Sequence, residues 1–85
     1  MTTSNELANE NRAKTLTMLQ PGNKVRQYFS QGNINNQLMH IRAIVDGDMI
    51  VYKVWSRRKQ YWVYDVTSIY RFDLLNEGGY LSLVS

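Results

Sequence analysis

From Lys24 onward, apolar and polar residues alternate in short runs that are separated by turn-forming residues. A period of two is typical of strands that bury one face and expose the other. Asp46-Gly47 lies between two such runs and is a strong hairpin signal, because both residues tolerate a positive φ. Short strands joined in this way favour an antiparallel meander of five or six strands, which should twist strongly.

The predicted strands follow directly from this alternation. They cover residues 24–30, 38–45, 48–56 and 61–67, with a fifth segment over residues 70–74 and a short closing strand over residues 80–84. A polar loop over residues 31–37 joins the first two strands. The residues that share the predicted buried face form the core: Ile41, Val45, Ile50, Tyr52, Val54, Trp62, Tyr64 and Phe72.

The first 20 residues differ from the rest of the chain. Ser4 can cap a helix, and Glu6 lies near the positive end of that helix. Every aromatic residue follows later, and Pro21-Gly22 ends the helix because Pro cannot continue its hydrogen bonds. We therefore predict a helix over residues 4–18, in an N-terminal arm of residues 1–20, followed by a β body of residues 21–85. The arm is either a scaffold element or a segment that binds a partner.

The second face of the central strands is also apolar. Met49, Val51 and Trp55 alternate with the predicted core residues of the third strand, and Val63 does so in the fourth. A face in solvent would carry polar residues at these positions. We expect this face to be covered by the arm or by a second copy of the chain, or else to be a binding site.

The sequence offers little for catalysis or metal binding. It has no cysteine and one histidine, His40, so it lacks the ligands of a zinc site. Asp46 and Asp48 flank a glycine, where carboxylates commonly shape the turn. Gly78-Gly79 lacks the Lys and Ser or Thr of a P-loop. We therefore expect no enzyme activity, no metal and no cofactor.

The most distinctive segment is the predicted hairpin WSRRKQYW, from Trp55 to Trp62. Its adjacent cations can hold phosphates or carboxylates, and its aromatic rings can stack on a base or a guanidinium group. A turn that is merely solvated, and that discourages edge pairing, is the alternative. The predicted partner-binding residues are cationic or aromatic: Trp55, Arg57, Arg58, Lys59 and Tyr61, extended by Lys24, Arg26 and Arg42 if the first two strands are adjacent.

The segment LQPGNKVR, residues 19–26, resembles the leucine, proline-glycine, valine entry into the first strand of SH3-like barrels of the KOW and Tudor type. The resemblance extends over residues 19–75 and implies a small barrel that binds protein or nucleic acid. The size, the absence of cysteine and the arm before a compact sheet resemble accessory and anti-defence proteins of bacteriophages, including anti-CRISPR proteins. That resemblance implies a stoichiometric inhibitor.

Two hypotheses follow. In the first, a phage-type inhibitor occludes a site on a host defence or nucleic-acid-processing protein whose surface is acidic or binds nucleic acid. In the second, an SH3-like module binds DNA or RNA through residues 55–62. The net charge of +3 is modest and favours the first. No apolar run approaches the ~20 residues that cross a bilayer, so we expect a cytoplasmic protein, in the host cytoplasm if it is phage-encoded. A homodimer is compatible with both.

Overall fold

The computed structural model describes residues 4–29 and 35–85. The described chain contains two helices and five strands in the order α1 (Ser4–Met18), β1 (Lys24–Tyr28), β2 (Asn36–Val45), β3 (Met49–Ser56), β4 (Tyr61–Ser68), α2 (Ile69–Glu77) and β5 (Leu81–Leu83). All strand pairs are antiparallel. The predicted class, mainly β with an N-terminal helix, is therefore confirmed. Residues 30–34, which end the first predicted strand and begin the predicted loop, lie outside the described residues.

The strands form one open sheet in the order β4-β3-β2-β1-β5. Consecutive hairpins build its first four strands, and β5 then returns to pair with β1, with Val25 opposite Leu83. β4 and β5 lie at the two edges, so the described strands do not close into the expected SH3-like barrel. Closure would require the edges to meet, but α2 follows β4 and leads the chain back to the other edge.

The predicted fifth strand over residues 70–74 is wrong, because this segment belongs to α2. The Ser68 hydroxyl caps the helix by accepting a hydrogen bond from the backbone N–H of Arg71. Ile69 and Phe72, three residues apart, are both buried, whereas Tyr70 is 64% exposed. Burial thus follows the helical period and not the period of two that the aromatic residues suggest.

The core lies between the two helices and one face of the sheet, which we call the helix side. Its buried apolar residues are Leu19, Val25, Met39, Ile41, Ile50, Tyr52, Ile69, Phe72 and Leu81. An ion pair between Arg12 and Asp73 joins α1 to α2, and the Asn11 side chain donates to the Asp73 carbonyl over 2.9 Å. The described part of the arm therefore packs on the helix side, and it does not cover the other face.

The register between β3 and β4 corrects the predicted core. The turn between the two strands has four residues, 57–60, and it therefore pairs even-numbered residues of β3 with odd-numbered residues of β4. Tyr52 accordingly lies opposite Asp65 on the helix side. Trp62 and Tyr64 consequently point away from the helices, where they are 38% and 60% exposed. Placing these two residues in the core was wrong.

A β-bulge in β2 likewise changes which residues of the second predicted strand face the core. The pairing with β3 shifts between Ile41 and Ala43, with Arg42 as the extra residue. Ile41 stays buried, but Val45 moves to the opposite face and is 43% exposed, so its predicted core position is wrong. The remaining predicted core residues face the helices: Ile41, Ile50, Tyr52 and Phe72 are buried, and Val54 is partly buried against them.

Neither described helix is long and apolar enough to cross a membrane.

Candidate functional site

The face of the sheet opposite the helices, which we call the open face, is covered by no described element. Register and strand alternation place the following residues on it: Lys24, Arg26, Tyr28, Asn36, Leu38, His40, Ala43, Val45, Met49, Val51, Lys53, Trp55, Trp62, Tyr64, Val66, Ser68 and Ser82. Several large side chains remain accessible, including Trp55 at 46% and Val66 at 48%. An exposed aromatic surface of this kind marks a candidate binding site.

Trp62 is the centre of an aromatic cluster on the open face. It lies directly opposite Trp55 in the sheet, and the two rings meet edge to face with centroids 5.4 Å apart. The His40 ring meets Trp62 at 4.9 Å in the same manner, and the Lys53 ammonium lies 4.2 Å from the Trp62 ring centroid. Edge-to-face and cation–π contacts hold these side chains in place while part of each indole stays accessible.

The charged residues on the open face are Lys24, Arg26 and Lys53, which are all cationic. Lys24, His40, Lys53 and Tyr64 form a row across four neighbouring strands. Partial burial, and then the positive charges of Lys24, Lys53 and Arg42, hold the pKa of His40 below its ordinary value. His40 is therefore neutral at pH 7, where its ring can both donate and accept a hydrogen bond.

None of the chain's 7 acidic residues is among the residues of the open face. They are in the helices (Glu6, Glu10, Asp73 and Glu77), in the turn between β2 and β3 (Asp46 and Asp48) and on the helix side (Asp65). Asp46 and Gly47 adopt the predicted positive φ angles, 53° and 73°. Because β3 is antiparallel to both of its neighbours, this acidic turn and the turn of residues 57–60 lie at opposite ends of the sheet.

Residues 57–60, which we call the basic turn, carry three exposed cations beside the tryptophans. Within the described chain no acidic side chain pairs with Arg57, Arg58 or Lys59. Ser56 accepts hydrogen bonds from the backbone N–H groups of Lys59 and Gln60, at 3.2 and 2.7 Å, so the turn is held without its cationic side chains. These cations are free to contact an anion.

A surface depression of about 590 Å³ lies between the beginning of β2 and the end of β3, where Trp55 of the aromatic cluster and Arg57 of the basic turn line it. Arg26 enters it and donates to the Asn36 side chain over 2.6 Å, which fixes the guanidinium group. Its lining residues are Arg26, Asn36, Gln37, Leu38, His40, Val54, Trp55 and Arg57. A planar ring or a phosphate could lie here between an indole and several donors.

The structure brings together most of the predicted partner-binding residues. Trp55, Lys24 and Arg26 share the open face with the basic turn at one of its ends, and the charge of Arg42 reaches His40 from the bulge. Tyr61 instead lies on the helix side, where the Lys59 ammonium is 5.8 Å from its ring centroid.

The predicted second face needs a similar correction. Met49 and Val51 lie on the open face as expected, but Val63 lies opposite Val54 on the helix side. Sequence reasoning missed Lys53 and Tyr64 as site residues, and it assigned Tyr64 to the core. It named Trp62 twice, in the core and in the binding hairpin of residues 55–62, and only the second position agrees with the register. The length of the turn before Tyr61 was the signal that could have placed them.

Among the described residues, no three His, Asp or Glu side chains come close enough to hold a metal ion. Comparisons with protein-family models, with curated proteins and with solved structures found no match. The resemblances to SH3-like barrels and to phage proteins therefore stay predictions, and the open face is the basis for assigning a function.

Proposed function

We propose that this protein is a non-catalytic module that binds an unpaired strand of nucleic acid on its open face. One observation carries the proposal: both tryptophans are exposed on a surface whose charged residues are all cations. A nucleic-acid strand needs both features, because its bases stack on aromatic rings and its phosphates attract positive charge.

The geometry favours an unpaired strand over a duplex. The bases of a duplex stack on one another and are not available to the rings of Trp55 and Trp62, whereas unpaired bases can lie against them. Lys53 lies against the Trp62 ring, Arg26 lines the depression beside Trp55, and Lys24 lies on the same face. The basic turn extends the positive surface toward the end of the sheet. Stacking contributes about 1–3 kcal/mol per base in such sites. Neutral His40 adds a donor and an acceptor for a base edge.

A protein partner is the second candidate, and the apolar end of the open face favours it. Val45, Met49, Val51 and Val66 lie there, next to the acidic turn, and they offer nothing to a phosphate. Protein interfaces combine an apolar centre with a polar rim. An inhibitor that occludes a host protein would place these side chains at the centre and the basic turn at the rim.

Intrinsic fluorescence tests the first candidate directly. Trp55 and Trp62 are the two tryptophans of the chain, so the whole tryptophan signal originates from the proposed site. Single-stranded DNA, single-stranded RNA and the matching duplexes would each be titrated into the protein. We expect either single strand to quench the emission and to bind more tightly than its duplex, and affinity should fall steeply with salt.

A matched pair of variants separates the site from general aromatic content. Trp62→Ala removes the centre of the cluster, and Tyr70→Ala removes an exposed aromatic residue from α2 on the other side of the protein. We expect Trp62→Ala to weaken binding at least fivefold, about 1 kcal/mol, and Tyr70→Ala to leave it unchanged. Equal binding by all three proteins, or no binding by the wild type, would overturn the proposal and leave the protein partner.

A further inference from the structure

The two edges of the sheet are unequal. β5 is an edge of three residues, whereas β4 is an edge of eight residues that pairs with β3 without a bulge. Proteins commonly protect a long edge with proline, lysine, a bulge or a covering element. β4 contains neither proline nor lysine nor arginine, and its one charged residue is Asp65.

The hydrogen bonds to β3 show which backbone groups of β4 point outward. The N–H of Ile69 donates to the Asp48 carbonyl over 2.7 Å, in continuation of the β3–β4 register. Since antiparallel ladders alternate, odd-numbered residues of β4 direct their N–H groups toward β3 and even-numbered residues direct theirs outward. Trp62, Tyr64, Val66 and, at the end of the strand, Ser68 therefore present outward donors.

One of these outward donors is already occupied. The Asp65 carboxylate accepts a hydrogen bond from the Val66 N–H over 2.8 Å, and this contact protects the second half of the edge. Within the described chain, the Trp62 and Tyr64 N–H groups have no such acceptor. The free part of the edge is thus the short stretch around Val63.

We propose that β4 pairs antiparallel with β4 of a second copy of the chain, about a two-fold axis at Val63. In this register Trp62 of each copy lies opposite Tyr64 of the other, and these two residues exchange their outward N–H and C=O groups. The contact is self-complementary, as a two-fold interface requires. It satisfies the outward donors of Trp62 and Tyr64, which precede Asp65 in the strand.

Neighbouring registers fit less well. A two-fold axis at Tyr64 would need the Val66 N–H, which Asp65 already holds. An axis at Asp65 would set two carboxylates directly opposite each other, which destabilises a strand pair. If the axis lay between two neighbouring residues, each open-face residue of one copy would lie opposite a helix-side residue of the other copy. The open face of one copy would then adjoin the helix side of the other. The axis at Val63 avoids all three conflicts.

The pairing joins the open faces of two copies into one wider surface with Trp62 and Tyr64 near its centre. It does not rest on the proposed nucleic-acid function, because it follows from the backbone of β4 and from the Asp65 side chain. Its failure would leave the aromatic cluster of each copy intact.

Cysteine cross-linking tests the register, because the chain has no cysteine of its own. In the proposed dimer the two copies of residue 63 form a non-hydrogen-bonded pair with Cα atoms about 4.5 Å apart, which lies within disulfide range. Val63→Cys should therefore give a covalent dimer under mild oxidation. Val66→Cys is the control: this position is 48% exposed, yet its two copies would lie about 20 Å apart.

We expect Val63→Cys to cross-link at least tenfold faster than Val66→Cys. Equal rates, or a faster rate for the more exposed Val66→Cys, would overturn the proposal. The wild type gives a second measurement that does not depend on substitution. Its sedimentation should show a concentration-dependent dimer, and the Trp62 and Tyr64 amides should exchange more slowly as the concentration rises. A monomer at millimolar concentration with rapid exchange of both amides would also refute the pairing.

Discussion

Replacing the three cations of the basic turn with alanine should separate binding from folding. Arg57, Arg58 and Lys59 are exposed, and the turn is held by its backbone and by the side chains of Ser56 and Gln60. Gln60, with its positive φ of 58°, is left unchanged. Because no hydrogen bond of the turn uses a cationic side chain, the free energy of unfolding should change by no more than about 0.5 kcal/mol.

The effect on nucleic-acid binding should be much larger. Each phosphate neutralised on a single strand contributes about 0.7 to the slope of log K against log salt, so losing three contacts should lower the slope by about 2. We expect affinity at low salt to fall at least tenfold, about 1.4 kcal/mol. Quenching of Trp55 and Trp62 by a saturating strand should persist, since the stacking surface remains.

A control with the same net charge makes the result decisive. Lys14→Glu combined with Arg71→Ala changes only the helices, and both this variant and the triple variant lower the net charge from +3 to zero. Fluorescence anisotropy across a salt series, with thermal melts of each protein, gives affinity and stability together. If the control loses as much affinity as the triple variant, overall charge governs binding; if the triple variant binds as the wild type does, the turn is merely solvated. Either result refutes the assigned role.

Three further predictions concern the fold and its pH dependence. Ile50→Ala should destabilise the protein by about 2–5 kcal/mol in chemical melts, and Val54→Ala by about 1–2 kcal/mol, because Ile50 is fully buried whereas Val54 is partly buried. A larger loss of stability for Val54→Ala than for Ile50→Ala would contradict the register. Deleting residues 1–18 should lower the melting temperature strongly, because α1 packs on α2, and an unchanged melt would show that the arm is dispensable. The pKa of His40 is lower in the folded protein than the ordinary value of about 6.5 that the unfolded chain has. As pH drops below that value the unfolded chain is protonated first, so the free energy of unfolding should fall. A bound phosphate should raise the pKa of His40, so nucleic-acid binding should tighten as pH drops over the same range. In paired titrations, His40→Gln should abolish the pH dependence of stability and that of binding.

The elements with strong local signals could be predicted from the sequence. α1 ends before Pro21, and the turn at Asp46-Gly47 has the φ angles that its residues favour. α2 could not be predicted in the same way, because its short segment places aromatic and aliphatic residues with a period of two. Its state is decided by the Ser68 cap and by the burial of Phe72 against the sheet, and burial against distant strands is a tertiary property.

The candidate site was predictable in composition but not in assembly. The cations of the basic turn follow from the sequence, since a polar run between two strands must be a turn. Which face receives Trp62 depends on whether the turn contains an odd or an even number of residues, and an apolar pattern on both faces leaves that undecided. The bulge at Arg42 has the same effect in β2, where it moves Val45 out of the core.

The separation of the two faces has a physical consequence for the function. Two short helices and the helix side of the sheet already supply the buried core, so Trp55, Trp62 and Tyr64 are not needed to complete it. Leaving these rings in water forgoes burial worth about 25 cal/mol for each Å² of apolar surface. A partner that covers the open face would recover that free energy, and cations around the rings favour an anionic partner. Substitutions on this face should therefore change binding with little effect on folding, except along β4, where the site and the proposed dimer contact share Trp62 and Tyr64.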